Sequence, residues 1–241
     1  MKVAVTSSSF AALLRRGELT HLEWLETCAS RLDADGVVFA LADFPRIDLE
    51  YAAQAKKVAT DLGIVPVALD VPGLLDPGRP DDDRTGAVKL ARALGTGLIR
   101  VSAGPPGDLP PETFARTVAV TKALTAQAKA ANVTLTVAPD AGTLLTDVAA
   151  VQNFAKYVDS AWLRYDLPAA SPDRARLGPR ERVLVERIGL QETLAPFAPA
   201  ARRGWFVLEG DGGDDPIACL GAAIERLRGA ENWGTTTADA V

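Results

Sequence analysis

Residues 87–111 read AVKLARALGTGLIRVSAGPPGDLPP, and they contain one structural unit from start to finish. Ala87, Leu90, Ala91 and Leu94 recur at i, i+3, i+4 and i+7, the spacing of one apolar helix face. Gly95 follows directly, where a helix ends in a left-handed cap. After only Thr96 comes a short β-rich run, 97–102, and then a Pro- and Gly-rich loop, 103–111 (AGPPGDLPP). A helix enters a strand through a tight turn, and the strand leaves through a long one.

The same unit recurs along the chain. Strands are predicted at 2–6, 36–41, 64–70, 97–102, 132–138, 160–165, 182–186 and 204–209, with helices filling the intervals. Leu22, Leu25, Ala29 and Leu32 form one apolar stripe, and Ile217, Leu220, Ile224 and Leu227 another. Thr20 to Glu23 spells a capping box, Asp215-Pro216 an N-cap with Pro at N1, and Gly36 and Gly63 two further helix stops. Strict strand–helix alternation means a parallel sheet with crossover helices. In a chain of 241 residues it predicts a single-domain α/β fold, the (β/α)₈ TIM barrel. The barrel is expected over 1–230, with a C-terminal tail at 231–241.

Helix-to-strand connections are short throughout. Strand-to-helix connections are long, at 71–82 (VPGLLDPGRPDD), 103–111, 166–180 and 210–216. In a barrel these loops all lie at the C-terminal ends of the strands, the face on which sites are built.

Composition excludes several classes of function. A net charge of −5 argues against a nucleic-acid partner, which needs a basic surface. No apolar run is long enough to span a bilayer, and the N-terminus reads as a strand, so a cytoplasmic location without membrane contact is expected. Cys28 falls between Leu25 and Leu32 at helical spacing and is expected in the core. His21 is the single histidine, which leaves little room for a histidine-rich metal site or a Ser-His-Asp triad. At a helix N-terminus it is expected near the rim, in solvent.

Acids collect at the strand ends: Asp43, Asp70, Asp140, Asp166, Glu186 and Glu209, with Arg100 inside strand four. Carboxylates around one mouth repel unless something offsets them. A hard divalent cation, pairing with arginine, or protonation with raised pKa would each do so. Asp43 and Asp140 also suit helix caps or loop turns, since Asp is a favoured N-cap. Asp166 and Glu209 adjoin apolar runs, where an unpartnered carboxylate is costly to bury.

Three stretches, Ala87–Gly104, 132–146 (NVTLTVAPDAGTLLT) and Gly204–Pro216 (GWFVLEGDGGDDP), resemble the xylose isomerase-like superfamily of TIM barrels, the sugar phosphate isomerase/epimerase family. The resemblance implies an isomerase or epimerase acting on a small carbohydrate or polyol, with a divalent metal, Mn²⁺ or Mg²⁺. It implies Asp166 and Glu209 as metal ligands; Glu209, Glu186 and Asp140 as catalytic acids and bases; and Arg100, Asp70 and Trp205 as substrate contacts. The family's strand-five Glu falls at about Ala138, so that ligand is lost here. The alternative is a catalytically degenerate barrel that binds a small molecule or a partner. The sequence leaves oligomeric state open.

Overall fold

The structure is a computed structural model, described at residues 1–102, 111–140, 142–169, 183–190, 204–211, 213 and 215–236. Strands β1 (Lys2–Thr6), β2 (Gly36–Ala40), β3 (Val65–Val71), β4 (Leu98–Val101), β5 (Thr134–Val137), β6 (Leu163–Pro168), β7 (Val183–Gly189) and β8 (Trp205–Glu209) pair in parallel in chain order. β1 also pairs with β8, so the barrel closes without an edge. Around it run α1 (Ala11–Arg16), α2 (His21–Ser30), α3 (Leu49–Asp61), α4 (Asp81–Leu94), α5 (Pro111–Ala130), α6 (Val148–Val158) and α7 (Pro216–Thr236).

The local signals act as the physics of helix ends requires. Thr20 and Glu23 make a complete capping box at the start of α2. Asp48, Asp147 and Asp215 each accept from the amide three residues on, at α3, α6 and α7. Gly63 and Gly95 hold the left-handed conformations that end α3 and α4 (φ 71° and 77°). Gly36 differs from expectation: it opens β2, and Asp33 takes the positive φ after α2 instead. The reason Gly36 is glycine is packing. A Cβ there would lie 2.8 Å from the Trp205 ring and 2.9 Å from the Val65 carbonyl oxygen.

Each strand is buried on two faces. Outward side chains such as Val5, Phe39, Leu69, Ile99, Leu135, Tyr165, Ile188 and Leu208 pack under the helices in the main core. Inward side chains fill the lumen with a smaller cluster: Ala4, Val38, Val67, Ala68, Val185 and Val207, flanked by Leu98 and Trp205. Trp205 stands at the N-terminal end of β8, so it plugs the foot of the barrel, with the Lys2 ammonium 5.3 Å above its ring. The expected role of Trp205 as a substrate contact is not supported, because the strand places it at the end opposite the mouth.

Two further differences follow from strand limits. β6 begins and ends about three residues later than predicted, so Asp166 lies inside the strand and not after it. β7 extends through Gly189, so Glu186 lies in mid-strand. The β3–α4 connection is held rigidly. Leu74 and Leu75 are fully buried in it, and the buried Arg84 of α4 donates to the carbonyls of Leu74 and Asp76 and to the Asp81 carboxylate. His21 is also a correction. It is only 3% exposed and sits among the rings of Trp24, Phe39, Phe44 and Tyr51, because α2 turns its first residue toward β2. Cys28 is buried as expected, and burial pushes its thiol well up. The loop residues 103–110 and most of the stretch 166–180 lie outside the described residues.

Candidate functional site at the barrel mouth

Side chains alternate across a strand, so every second residue faces the lumen. Above the apolar layer of Ala4, Val38, Ala68, Val185 and Val207, the next inward positions are Asp70, Arg100, Thr136, Asp166, Arg187 and Glu209. One polar side chain thus rises from each strand between β3 and β8. β6 keeps its alternation, with Leu163, Tyr165 and Leu167 outward and Asp166 inward; the register irregularity opposite it skips Leu184 on β7. From the β2 side comes Asp43, fixed by the fully buried Ser7. The Ser7 hydroxyl donates to Asp43 Oδ2 at 2.7 Å and accepts from the Ala40 amide at 2.9 Å.

Four of these groups form a closed ring of alternating charge. Arg100 Nε donates to Asp166 Oδ2 at 2.7 Å, and Arg100 Nη2 contacts Glu209 Oε1. Arg187 Nε lies 3.0 Å from Asp166 Oδ1, close enough for an ion pair though off the hydrogen-bond direction. Arg187 Nη1 lies 3.9 Å from Glu209 Oε2 and closes the ring loosely. The inner members, Arg100 and Asp166, are buried; the outer members, Arg187 and Glu209, are 23% and 29% exposed at their side chains. Arg187 Nη2 also reaches the Pro139 carbonyl, 3.4 Å away, above β5.

Electrostatics follow from this packing. Burial by itself would lower the Arg100 pKa, but Asp166, Glu209 and Asp70 more than reverse that, and the guanidinium stays charged. Burial pushes the Glu209 carboxyl above its ordinary range, opposed by Arg100 and Arg187 and assisted by Asp166. Burial likewise raises Asp70, with Arg100 opposing and Asp166 assisting. The offset for the crowded acids is therefore arginine pairing together with raised carboxyl pKa values.

Of the residues singled out from sequence, Arg100, Asp166, Glu209 and Asp70 converge. Glu186 does not join them. It is in register with Leu167 and Phe206, both part of the outer core, and its neighbours Val185 and Arg187 take the inward positions. Asp140 is exposed in a turn, where its carboxylate accepts from the Gly142 amide at 3.0 Å. Arg187 and Thr136 were missed. A signal for Arg187 exists in VLVERIG, where only one of two adjacent charges can face inward, but the sequence does not say which.

A divalent cation of the Mg²⁺ or Mn²⁺ type needs several oxygen ligands free to turn toward it. The oxygens of Asp166 and Glu209 face guanidinium nitrogens, and no group of three His, Cys, Asp or Glu side chains is arranged to hold a metal among the described residues. The residues present do not fit such a cation.

No protein-family profile matches the sequence, and no curated protein matches it significantly. Solved structures do match. A probable 3-DHS dehydratase of petrobactin synthesis from Bacillus anthracis superposes with a TM-score of 0.76 at 14% identity, over 95% of this chain and 99% of that one. A xylose isomerase domain containing protein from Salmonella typhimurium LT2 gives 0.71 at 12% identity, over 97% of each chain. The fold is the (β/α)₈ barrel that these structures share. A third barrel of this kind, a D-psicose 3-epimerase from Clostridium cellulolyticum H10 solved with D-tagatose, gives 0.75 at 16% identity, over 96% and 99% of the two chains. At these identities the likeness is one of fold, and the side chains of the mouth carry the functional argument. Among the described residues no helix is long and apolar enough to cross a membrane.

Proposed function

We propose that this xylose isomerase-like barrel binds a small carbohydrate or polyol at its C-terminal mouth, on a floor of paired arginines and carboxylates and without a divalent metal. The observation that carries the reading is the Arg100 guanidinium lodged between Asp166 and Glu209. A fixed cation there already neutralises the acids that a metal would otherwise neutralise.

The exposed edge of the ring favours a ligand rich in hydroxyl groups. Arg187 offers donors and Glu209 acceptors across a 3.9 Å gap. A hydroxyl both donates and accepts, so it satisfies both sides. Asp43 and Asp70 near the same opening disfavour a strongly anionic ligand. The sugar bound by the D-psicose 3-epimerase of the same fold supports a carbohydrate of similar size. Isomerase or epimerase chemistry through Glu186 and Asp140 has little support, since one takes an outward position on its strand and the other sits in an exposed turn.

The test is thermal denaturation against ketopentoses, ketohexoses and linear polyols, with a chelator present. A ligand at a hundred times its Kd adds about 2.7 kcal/mol, which for a chain of this size raises Tm by about 5–10 °C. Arg187→Ala and Glu209→Gln are expected to abolish that rise. A panel with no active member refutes carbohydrate binding, and a rise that appears only after Mn²⁺ is added refutes the metal-free floor.

A further inference from the structure

On the flank of the barrel, between α3 and α4, runs a groove of about 370 Å³. Its floor is apolar, built from Leu41, Val71, Ala87 and Leu90. Ile47 and Leu49 line it at the start of α3, 67% and 51% exposed. Apolar side chains gathered at one rimmed groove mark a contact surface, where isolated ones would not. Gly86 lies in the same groove, exposed and in the interior of α4. Nothing within this chain calls for glycine there. Its φ is not in the left-handed region, and a Cβ would meet no atom within 4 Å. Glycine in a helix interior is less stable than alanine. The missing side chain is therefore explained by something that approaches α4 from outside.

The charges of the rim are unequally committed. Asp48 caps α3, and Asp83 pairs with Arg79. Asp82 and Lys89 have no ion-pair or hydrogen-bond partner among the described residues. Both are exposed, and at i and i+7 they share one face of α4 with Gly86 between them. Along the helix axis Asp82 lies about 6 Å to one side of Gly86 and Lys89 about 4.5 Å to the other.

We infer that this face is the contact between two copies of the chain, a twofold dimer in which α4 crosses its counterpart antiparallel at Gly86. The charges select the occupant. In a twofold contact residue i meets residue j, and j meets i. Rotation about an axis at Gly86 sets Asp82 against Lys89 of the partner subunit and Lys89 against Asp82 of the partner subunit, so the face complements its own image. A chain of net charge −5 repels its copies elsewhere, whereas here the two uncommitted charges cancel. Glycine at the crossing lets the two helices approach closely, which takes Ile47 and Leu49 of each copy out of water. The contact uses none of the charged ring, so it stands independently of the carbohydrate reading.

Sedimentation equilibrium of the full chain at low salt tests the proposal. Wild type is expected to reach twice the mass of one chain between about 1 and 100 µM. Asp82→Lys and Lys89→Asp each set like charges against one another at both crossing contacts, and each is expected to weaken association about tenfold or more. An equimolar mixture of these two variants is expected to regain wild-type association, since each chain then supplies the charge that the other has lost. Gly86→Gln places its side chain in open space in the single chain, so it is expected to keep the fold and lose the dimer. A wild type that remains a single chain throughout that range overturns the proposal and leaves the groove to a different partner. A dimer that persists in folded Gly86→Gln overturns it, as does a mixture of the charge variants that associates no more tightly than either alone. Should Gly86→Gln not fold, the mixture decides.

Discussion

His21 has no hydrogen-bond partner on either ring nitrogen, and it lies inside a box of four aromatic rings. Desolvation lowers its pKa from 6.5 to about 4, so the folded protein holds it neutral. The unfolded chain binds a proton there below its ordinary pKa, and the folded chain binds it only near pH 4. Stability is thus full above about pH 6.5 and falls as pH drops toward 4, by on the order of 3 kcal/mol. Urea denaturation of wild-type protein and His21→Phe at pH 7 and pH 4.5 checks this. The variant is expected to lose less stability than wild type between the two pH values; equal losses refute it. The sequence placed this residue in solvent, because a polar residue at a helix start usually faces out. Trp24 is local, on α2 itself, but Phe39, Phe44 and Tyr51 come from β2, the segment after it and α3, which local sequence does not bring to His21.

At the scale of elements, the barrel was legible and its inner face was not. Each strand limit fell within a few residues of expectation, since capping boxes, glycine stops and turn clusters are local signals. Which residue faces the lumen is a matter of phase. Barrel strands are apolar on both sides, so VLVERIG carries no alternation that separates Glu186 from Arg187. Pairing with β6 and β8 sets that phase, and pairing is not local. Asp166 and Glu209 were found because a carboxylate next to an apolar run is conspicuous; their arginine partners were only half visible. Gly36 also shows how tertiary contact decides residue type. Gly36→Ala is expected to cost about 1–3 kcal/mol, measured as a drop in the denaturant midpoint, because the new methyl meets the Trp205 ring and the fixed Val65 carbonyl. A variant as stable as wild type would show that the foot of the barrel yields.

For the whole molecule, the ring of charges at the mouth works against the fold that holds it. Buried ion pairs lose solvation that their mutual attraction often fails to recover. Replacing all four members together, as Arg100→Met, Asp166→Leu, Arg187→Met and Glu209→Leu, is expected to leave Tm unchanged or higher while ligand binding disappears. Replacing Asp166 alone by Leu is expected to cost about 3–5 kcal/mol, since it strands the Arg100 charge in the interior. Thermal denaturation of the two variants side by side tests this. A quadruple variant less stable than the single one would mean that the ring holds the barrel together.

Trp205 at the foot, set against Gly36 and covered by Lys2, and the packed apolar lumen above it leave the barrel closed below the charged ring. A molecule bound at the mouth therefore leaves by the side on which it entered. Occupancy is exclusive: two ligands that use the Arg187 and Glu209 edge compete, and a bulky substituent is tolerated only on the end that points away from the ring.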